Sequence, residues 1–551
     1  MKKLSFYVLI TLFFLLIQSC SNEFPITDSV HINSIGYLPD GNKIATVISD
    51  NCTIVNIRKG KNGNLVYNAK ISGPYSMPDT NLVIWKVDFS GLTIPGEYFI
   101  EVPGIGRSIG FSINQTAYTK PYVATMKAFY YYRCGTEVEG VHKGDTFRHA
   151  PCHMGDGWHD FTEFGHIHAD GTGGWHDAGD YGKYVVNAGI TLHNLFLTWE
   201  HFSQKLEKIE LTIPETSPEM PEFLQELKWE TDYLLKMQYP DSSGRVSHKL
   251  TAKVFQGFIR AENDSSIRYF SDWSSDATAN FAAVMAISAR IFKPYNSEYA
   301  KTCLQAAERS YDFLKENPDD KPWGQREIRT GWYRTIDVHS RLWAAAELWE
   351  TTGEEAYLTD FEQRAKNYDK KVLKNYDWGN VQNLGMFTYI LSDKEGKNTE
   401  LFTQLKSELI AVADSIADYS EMEAFGRPFD KYYWGCNGTV ARLAITLSIA
   451  NLVSPNEKYI KAGQSIIAHL FGNNIYGRSY VIGIGVKPPM NPHDRRSGSD
   501  DIEAPWPGQI VGGGHTPYDW VDEESSFSHN EVAINWQAPL VYVLAWFTSE
   551  E

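Results

Sequence analysis

The spacing of hydrophobic residues changes partway along the chain and divides it into two parts. Between about Val30 and Ile113, short alternating runs such as Thr53–Ile57 and Leu82–Val87 are separated by Gly, Pro and Asn. Alternation with a period of two in short runs is typical of β-strands. About seven such strands in one segment predict a small β-sandwich, which we assign to residues 28–114.

From residue 118 onward the apolar period becomes helical. Leu224, Leu227 and Leu234 fall on one face, and about a dozen segments of this kind predict two concentric rings of six helices, an (α/α)6 barrel spanning residues 118–551. The predicted class is therefore mainly α. A superhelical repeat array is the alternative, but the sequence has no repeat of fixed period. Besides the segment at Leu224, the stripes lie near 121–133, 183–200, 276–292, 298–315, 340–352, 356–372, 380–391, 400–417, 437–452, 457–471 and 531–547.

The N-terminus has the pattern of an export signal. Lys2 and Lys3 precede the apolar run Leu4–Ile17, which is too short to span a bilayer. The run ends in Ile-Gln-Ser-Cys and resembles a bacterial lipoprotein signal. We therefore predict a signal peptide over residues 1–20 that ends at a lipidated Cys20, followed by a tether over residues 21–27. The alternative is an ordinary cleaved signal without lipidation. If Cys20 is lipidated, we expect the protein to be attached to the cell envelope, at the outer membrane.

The charge and composition of the chain limit the range of its possible functions. The formal net charge is −17, and removal of the signal makes it −19, so nucleic-acid binding is excluded. The only membrane contact expected is through the lipid. The 16 Trp, 31 Tyr and 28 Phe residues indicate either a rich core or a surface that stacks on sugar rings. Five cysteines remain after the signal, and an odd number does not indicate a disulfide framework.

Two long irregular stretches, residues 140–182 and 474–530, interrupt the helices, and loops of this length are usually functional. Asp177 and Asp180 lie between glycines in the first stretch. Asp180 could cap the following helix, but two nearby acids can also hold and polarise one water. Glu531 lies at the predicted start of the last helix, where the alternative is a favourable charge at a helix N-terminus.

Three motifs together resemble glycoside hydrolase family nine, the family of inverting β-1,4-glucanases, in its branch with an Ig-like N-terminal domain. They are Trp-His-Asp-Ala-Gly-Asp-Tyr-Gly-Lys at 175–183, Asn-Pro-His-Asp-Arg-Arg-Ser at 491–497 and Asn-Glu-Val-Ala-Ile-Asn at 530–535. The resemblance covers nearly the whole mature chain. It makes residues 28–114 an Ig-like domain that supports the barrel.

The resemblance also implies roles for single residues. Asp180 is the expected general base, Asp177 its partner in holding the attacking water, and Glu531 the general acid. His493 and Arg495 match positions that contact sugar hydroxyls. We expect Trp434 to be a platform on which a sugar ring stacks; the alternative is that it packs in the core.

The cysteines and histidines indicate a metal site. Cys134, Cys152, His153 and His176 could supply two thiolates and two imidazoles to a tetrahedral Zn²⁺, although their spacing fits no small zinc-finger pattern. The family resemblance implies a structural zinc site built from these residues. Relatives often bind calcium through an Asp-Glu pair where this chain has His339-Ser340, so no calcium is expected there.

The leading hypothesis is therefore an exported, monomeric hydrolase of β-1,4-glucans. Its expected substrates are amorphous cellulose, mixed-linkage β-glucan or xyloglucan, with cleavage inside the chain. The alternatives are an exo-acting β-glucosidase or glucosaminidase of the same family, a glycan-binding protein without catalysis, and a zinc hydrolase. Retention of all three acids argues against the binding protein, and four protein ligands would close the metal site against the zinc hydrolase.

Overall fold

The computed structural model describes residues 24–77, 80–215 and 217–549. The predicted signal peptide, the lipidation site Cys20 and the first residues of the tether lie outside the described residues. Export and lipid anchoring therefore remain predictions.

The N-terminal part is a sandwich of two antiparallel sheets. One sheet has the strand order β1-β2-β6-β5 and the other β4-β3-β7-β8, with β9 also paired to β7. The inward-facing side chains, among them Val47, Ile57, Val87, Ile100 and Phe111, are buried between the sheets and confirm the predicted sandwich. The strands are β1 (Val30–His31), β2 (Ile44–Ile48), β3 (Asn56–Lys59), β4 (Leu65–Asn68), β5 (Lys70–Ser76), β6 (Val83–Asp88), β7 (Gly96–Val102), β8 (Gly106–Arg107) and β9 (Phe111–Ile113).

Helices dominate the described residues after the sandwich. They are α1 (Thr119–Tyr131), α2 (Val185–Leu206), α3 (Glu222–Met237), α4 (Ser275–Phe292), α5 (Ser297–Glu316), α6 (Val338–Thr352), α7 (Glu355–Ala365), α8 (Gln382–Leu391), α9 (Thr399–Met422), α10 (Cys436–Val453), α11 (Glu457–Leu470), the single turn α12 (Phe527–Asn530) and α13 (Ile534–Phe547).

The helix contacts close into a ring. Helices α2, α4, α6, α8, α10 and α13 each pack on the next, and α13 returns to α2. Helices α1, α3, α5, α7, α9 and α11 pack outside this ring. The predicted (α/α)6 barrel is confirmed, and the ring closure rules out an open repeat array.

Burial explains which helices lie inside. Every residue of α10 from Cys436 to Ala450 is buried, as expected of a helix that is surrounded on all sides. Helix α10 is long and apolar enough to cross a membrane, but 83% of it is buried within the protein. Outer helix α11 instead buries one face, which includes Tyr459, Ile466 and Leu470.

Short strands that the sequence did not predict support the barrel loops. A hairpin joins β10 (Val138–His142) to β11 (Asp145–His149), and β12 (Lys183–Tyr184), β13 (Lys249–Thr251) and β14 (Tyr269–Phe270) form a small antiparallel sheet. Strand β12 leads directly into inner helix α2. The small sheet therefore fixes the entry of α2, immediately after the loop that carries the two aspartates.

The sandwich rests on α11 and the loop that follows it. The Thr46 hydroxyl donates to the Asn473 side chain at 2.9 Å, and the Asn42 backbone N–H donates to Gln464 at 2.6 Å. Phe425 from the barrel packs in a small apolar cluster with Met77 and Ile84 from the sandwich. The two domains therefore share a specific interface.

Candidate active site and metal cluster

Backbone contacts bring the three predicted motifs together. The N–H of Ile534 donates to the carbonyl of Asp177 at 2.9 Å, and Ala178 forms an antiparallel bridge with Ala533. His493 forms a parallel bridge with Glu531. The first turns of inner helices α2 and α13 lie beside these bridges, so the acids meet at one end of the barrel.

Both oxygens of Asp177 are held. The Asn187 amide donates to Oδ1 at 2.7 Å, and the Tyr333 hydroxyl donates to Oδ2 at 2.6 Å. Burial and the nearby charge of Asp180 raise the pKa of Asp177 to about 8, although the two hydrogen bonds lower it in part. The orientation of this carboxyl is therefore fixed by residues from two other segments.

Asp180 has one oxygen held and one available. Its Oδ1 accepts from the Gly182 N–H at 2.5 Å and from the Tyr184 hydroxyl at 3.3 Å, whereas no described residue donates to Oδ2. Helix α2 begins at Val185, five residues later, and its N-cap is Tyr184, so Asp180 does not cap it. The helix-cap alternative is wrong, and the second oxygen can accept a hydrogen bond from water or substrate.

Glu531 lies in extended backbone before α13 and outside its first turn. Burial, followed by the charges of Asp180 and Asp177, raises the pKa of Glu531 well above its usual range, while Arg495 lowers it in part. A raised pKa favours the protonated form of this carboxyl. Glu531 can therefore donate a proton to a ligand beside the two aspartates.

His493 and Arg495 border the acids. Arg495 donates to the Gly179 carbonyl at 2.6 Å and to the Gln256 carbonyl at 2.9 Å, so it also braces the aspartate loop. At Gly179 a Cβ would come within 2.1 Å of the His493 carbonyl oxygen, which explains the glycine. The His493 ring itself contacts the rings of Phe258 and Phe527.

Trp434 is exposed, with 45% of its surface accessible, and its ring meets Phe527 edge-on at 5.4 Å. The core-packing alternative is therefore wrong. Phe255, Phe258 and Trp332 are also exposed; Phe255 lines a small cavity with Asp180, and Phe258 contacts the His493 ring. The sequence does not single out these aromatic residues, because nothing in a chain so rich in aromatics distinguishes an exposed ring from a buried one.

The four predicted metal ligands converge. Their ligand atoms all lie within 4.8 Å of one another, and all four residues are buried. Cys134 Sγ lies 3.6 Å from His153 Nδ1, Cys152 Sγ lies 3.9 Å from His176 Nε2, and the two imidazole nitrogens are 3.3 Å apart. Bonds of about 2.0–2.3 Å to a tetrahedral zinc give edges of about 3.3–3.8 Å. The donor set and its spacing fit such an ion.

The metal cluster is joined to the aspartate loop through the backbone. Cys134 donates its N–H to Gly174 at 2.8 Å and His176 donates to Tyr132 at 2.7 Å, which pairs the two segments. Beneath them, Trp175 donates to Glu226 and Glu230, and Glu226 pairs with Arg133 at 2.9 Å. Since His176 precedes Asp177, this support also fixes the start of the acid loop.

At His339-Ser340, where the sequence predicts no calcium site, Ser340 donates its hydroxyl to the buried Asp276, and His339 Nδ1 lies 3.1 Å from the Tyr368 hydroxyl. Both side chains thus have protein partners. That no calcium binds here remains a prediction.

A closed double ring of helices with three acids at one end, bordered by exposed aromatic rings, defines a barrel enzyme that acts on carbohydrate. Comparison with known proteins agrees. Residues 118–544 match glycosyl hydrolase family 9, and residues 26–107 match the cellulase N-terminal ig-like domain. The chain belongs to glycosyl hydrolase family 9 and is a glycoside hydrolase.

Similar proteins span almost the whole chain. Endoglucanase D of Acetivibrio thermocellus is 47% identical over 94% of this chain and 83% of its own length. A xyloglucan-specific endo-beta-1,4-glucanase of Bacteroides ovatus is 31% identical over 93% of this chain and 92% of its own. The crystal structure of a Zn-binding triple mutant of the family 9 endoglucanase J30 superposes with a TM-score of 0.87 at 29% identity, covering 93% of this chain and all of that one.

Proposed function

We propose that this chain is an inverting, endo-acting hydrolase of β-1,4-glucans in which Glu531 is the general acid and Asp180 the general base. The main observation behind this proposal is the difference between the surroundings of Glu531 and Asp180 at this end of the barrel. Burial and the charges of the two aspartates favour the protonated form of Glu531, whereas Asp180 keeps one oxygen without a partner among the described residues. An inverting glycosidase needs one acid and one base in this way.

The reaction follows from these positions. Glu531 donates its proton to the glycosidic oxygen as the bond from that oxygen to the anomeric carbon breaks. A water held by Asp180 and Asp177 attacks the anomeric carbon from the opposite face and gives its proton to Asp180. The new reducing end has the α configuration, because the β bond is replaced from the other side. Asp177, fixed by Tyr333 and Asn187, orients the water but is not the proton acceptor.

The substrate class is supported by the aromatic rings and by the relatives. Trp434, Phe255 and Trp332 are exposed and offer flat apolar faces on which sugar rings can stack, and Phe255 lines one cavity with Asp180. The two relatives described above are named as endoglucanases, one of them specific for xyloglucan. We therefore assign cleavage within soluble or amorphous β-1,4-glucans, with xyloglucan among the polymers to be tested.

Proton NMR of a β-glucan digest tests the mechanism. The wild-type enzyme should release α-configured reducing ends first, and Glu531→Gln should lower kcat by about 10²–10⁴-fold. Glu503→Gln, an exposed acid on the second long loop, is the matched control and should keep full activity. Initial release of β-anomers would contradict the inverting assignment, and an unchanged Glu531→Gln rate would contradict the role of the acid.

Product length in the same digest separates the remaining alternatives. Endo cleavage yields a mixture of oligosaccharides and a rapid fall in viscosity, whereas release of glucose alone indicates the exo-acting enzyme. Cleavage of glucosaminides instead of glucans would assign the other alternative substrate. Tight binding of glucan by wild type without any cleavage would favour the glycan-binding protein.

We further infer that Cys134, Cys152, His153 and His176 hold a structural Zn²⁺. The ligand atoms of the four buried residues lie within 4.8 Å of one another, close to the edges of a zinc tetrahedron, and two thiolates with two imidazoles suit this ion. Zinc with four protein ligands has no open position for a reacting water. Its contribution would be to cross-link the segments around residues 134, 152 and 176, next to the loop that presents the aspartates.

A further inference from the structure

The two ring nitrogens of His153 face different neighbours. Its Nδ1 lies 3.6 Å from Cys134 Sγ and 3.3 Å from His176 Nε2, whereas its Nε2 lies 3.3 Å from Asp264 Oδ2. Because Nδ1 faces the other ligand atoms, Nδ1 is the nitrogen that would bind a metal. The remaining proton is then on Nε2 and points to the Asp264 carboxylate.

Asp264 is itself held in place for this contact. Its side chain is 5% exposed, and its other oxygen, Oδ1, accepts from the Ser266 backbone N–H at 2.9 Å and from the Ser266 hydroxyl. The carboxylate therefore cannot rotate away without losing these bonds. The second imidazole has no comparable support, since His176 Nδ1 has no hydrogen-bond partner among the described residues.

We propose that Asp264 is a positioning residue for the metal cluster. By accepting the Nε2 proton it fixes the tautomer and ring orientation in which His153 Nδ1 faces the ion, and so strengthens zinc binding. Carboxylates hydrogen-bonded to metal-binding imidazoles contribute about 10–100-fold to metal affinity in proteins. This inference rests on the proposed zinc site and adds to it a residue outside the four ligands.

The same contact connects the metal cluster to the cleft. Asp264 and Asp180 line one small cavity together with Phe255 and Arg495. The segment that carries Phe255 and Phe258 also reaches Tyr181, whose hydroxyl donates to the Ile259 carbonyl at 2.6 Å. The contact between His153 and Asp264 therefore also links the segment of residues 255–264, which carries the aromatic rings, to the loop of the catalytic acids.

Asp264→Asn is a sharp test because the two ends of an amide differ. If the oxygen of the new amide keeps accepting from Ser266, the NH2 group of the same amide faces the Nε2–H of His153. Two hydrogen-bond donors then oppose each other. If the amide turns over, the Ser266 N–H loses its acceptor instead. Either orientation disfavours the tautomer in which His153 Nδ1 can bind the metal. The substitution causes almost no change in side-chain volume.

Asp241→Asn is the matched control. Asp241 accepts from the N–H of Ser243 at 3.0 Å, two residues ahead, as Asp264 does from Ser266, but it has no histidine partner. Ser266→Ala is a milder variant that keeps the carboxylate and removes one of its donors. It covers the case in which Asp264→Asn fails to fold.

The experiment measures zinc content and affinity of the full chain by competition with a chromogenic chelator, and the absorption spectrum after replacement of zinc by Co²⁺. We expect one zinc per wild-type chain, about 10–100-fold weaker zinc binding in Asp264→Asn, a smaller loss in Ser266→Ala and none in Asp241→Asn. The Co²⁺ ligand-field bands should shift in Asp264→Asn, while the Tm of the metal-free protein stays unchanged.

Equal zinc affinity and equal Co²⁺ spectra in wild type and Asp264→Asn would overturn the role of Asp264 while leaving the zinc site intact. A wild-type chain that takes up neither zinc nor cobalt would instead overturn the zinc site, and this inference with it. Glucan cleavage by that same sample would show that the proposed catalytic function stands independently.

Discussion

At the scale of single residues, Glu531 shows how surroundings turn an ordinary carboxyl into a proton donor. Burial and two neighbouring acids favour its neutral form, and Arg495 opposes them. As the general acid, Glu531 must be protonated, so kcat/KM should fall as pH rises through its raised pKa.

Arg495→Gln should move the alkaline limb of this profile to higher pH, because it removes the positive charge that lowers the Glu531 pKa. The rate at the optimum should also fall, since Arg495 braces Gly179. Arg260→Gln is the control: it removes an exposed cation paired with Asp501. The measurement is kcat/KM on a soluble glucan across the pH range. An alkaline limb that stays in place in Arg495→Gln would show that another group controls it.

The three acids, His493 and Arg495 could be singled out because family motifs carry them, and the family resemblance pointed to the four cysteines and histidines that converge in the structure. Their partners could not be predicted in this way. Tyr333, which holds Asp177, lies more than 150 positions further along the chain in an irregular segment with no motif. Asn187 lies in the first turn of a buried helix, where its amide is indistinguishable in sequence from an ordinary core residue. Folding alone brings these residues together.

At the scale of secondary-structure elements, periodicity predicted the existence of the helices better than their ends. The stripe near 356–372 predicts a longer helix than α7, which ends at Ala365. Beyond it, the backbone N–H groups of Lys371 and Val372 bind the Glu408 carboxylate instead of helical carbonyls. The last helix begins at Ile534 and not near 531, because Glu531–Ala533 pair with other loops as extended backbone. Such competing partners are remote in sequence.

The loop that carries the aspartates should depend on the metal. Removal of zinc by a chelator should lower stability and activity together, and readdition should restore both. If zinc is present at 1,000 times its Kd, the lost stabilisation is about 4 kcal/mol. Thermal unfolding and glucan cleavage, measured on the same apo and reloaded samples, check this expectation.

Cys134→Ser should reproduce the chelated state, whereas Cys52→Ser, a buried thiol in the sandwich, should retain the full response to zinc. Full activity and unchanged Tm in a sample that elemental analysis proves free of zinc would contradict the structural role.

At the scale of the whole molecule, the sandwich and the second long loop share one interface. His31 Nδ1 lies 2.6 Å from the Asn474 carbonyl, and the Ser34 N–H donates to the Phe471 carbonyl at 3.1 Å. The loop that starts here continues to His493 and Arg495 beside the catalytic acids. The position of the sandwich therefore suggests that it supports the active site through this loop.

Loss of one buried contact at this interface should therefore affect stability before substrate affinity. Asn473→Ala leaves the buried Thr46 hydroxyl without its acceptor, which should cost about 1–3 kcal/mol. Asn68→Ala, at an exposed position of β4, should cost far less.

Deletion of residues 28–114 should be more severe, because it also exposes Phe425 and the face of α11 that contacts the sandwich. The deletion should therefore lower Tm and soluble yield. Thermal unfolding and KM for a soluble glucan separate support from binding, since a barrel that stays soluble and equally stable but has a raised KM would make the sandwich a sugar-binding domain.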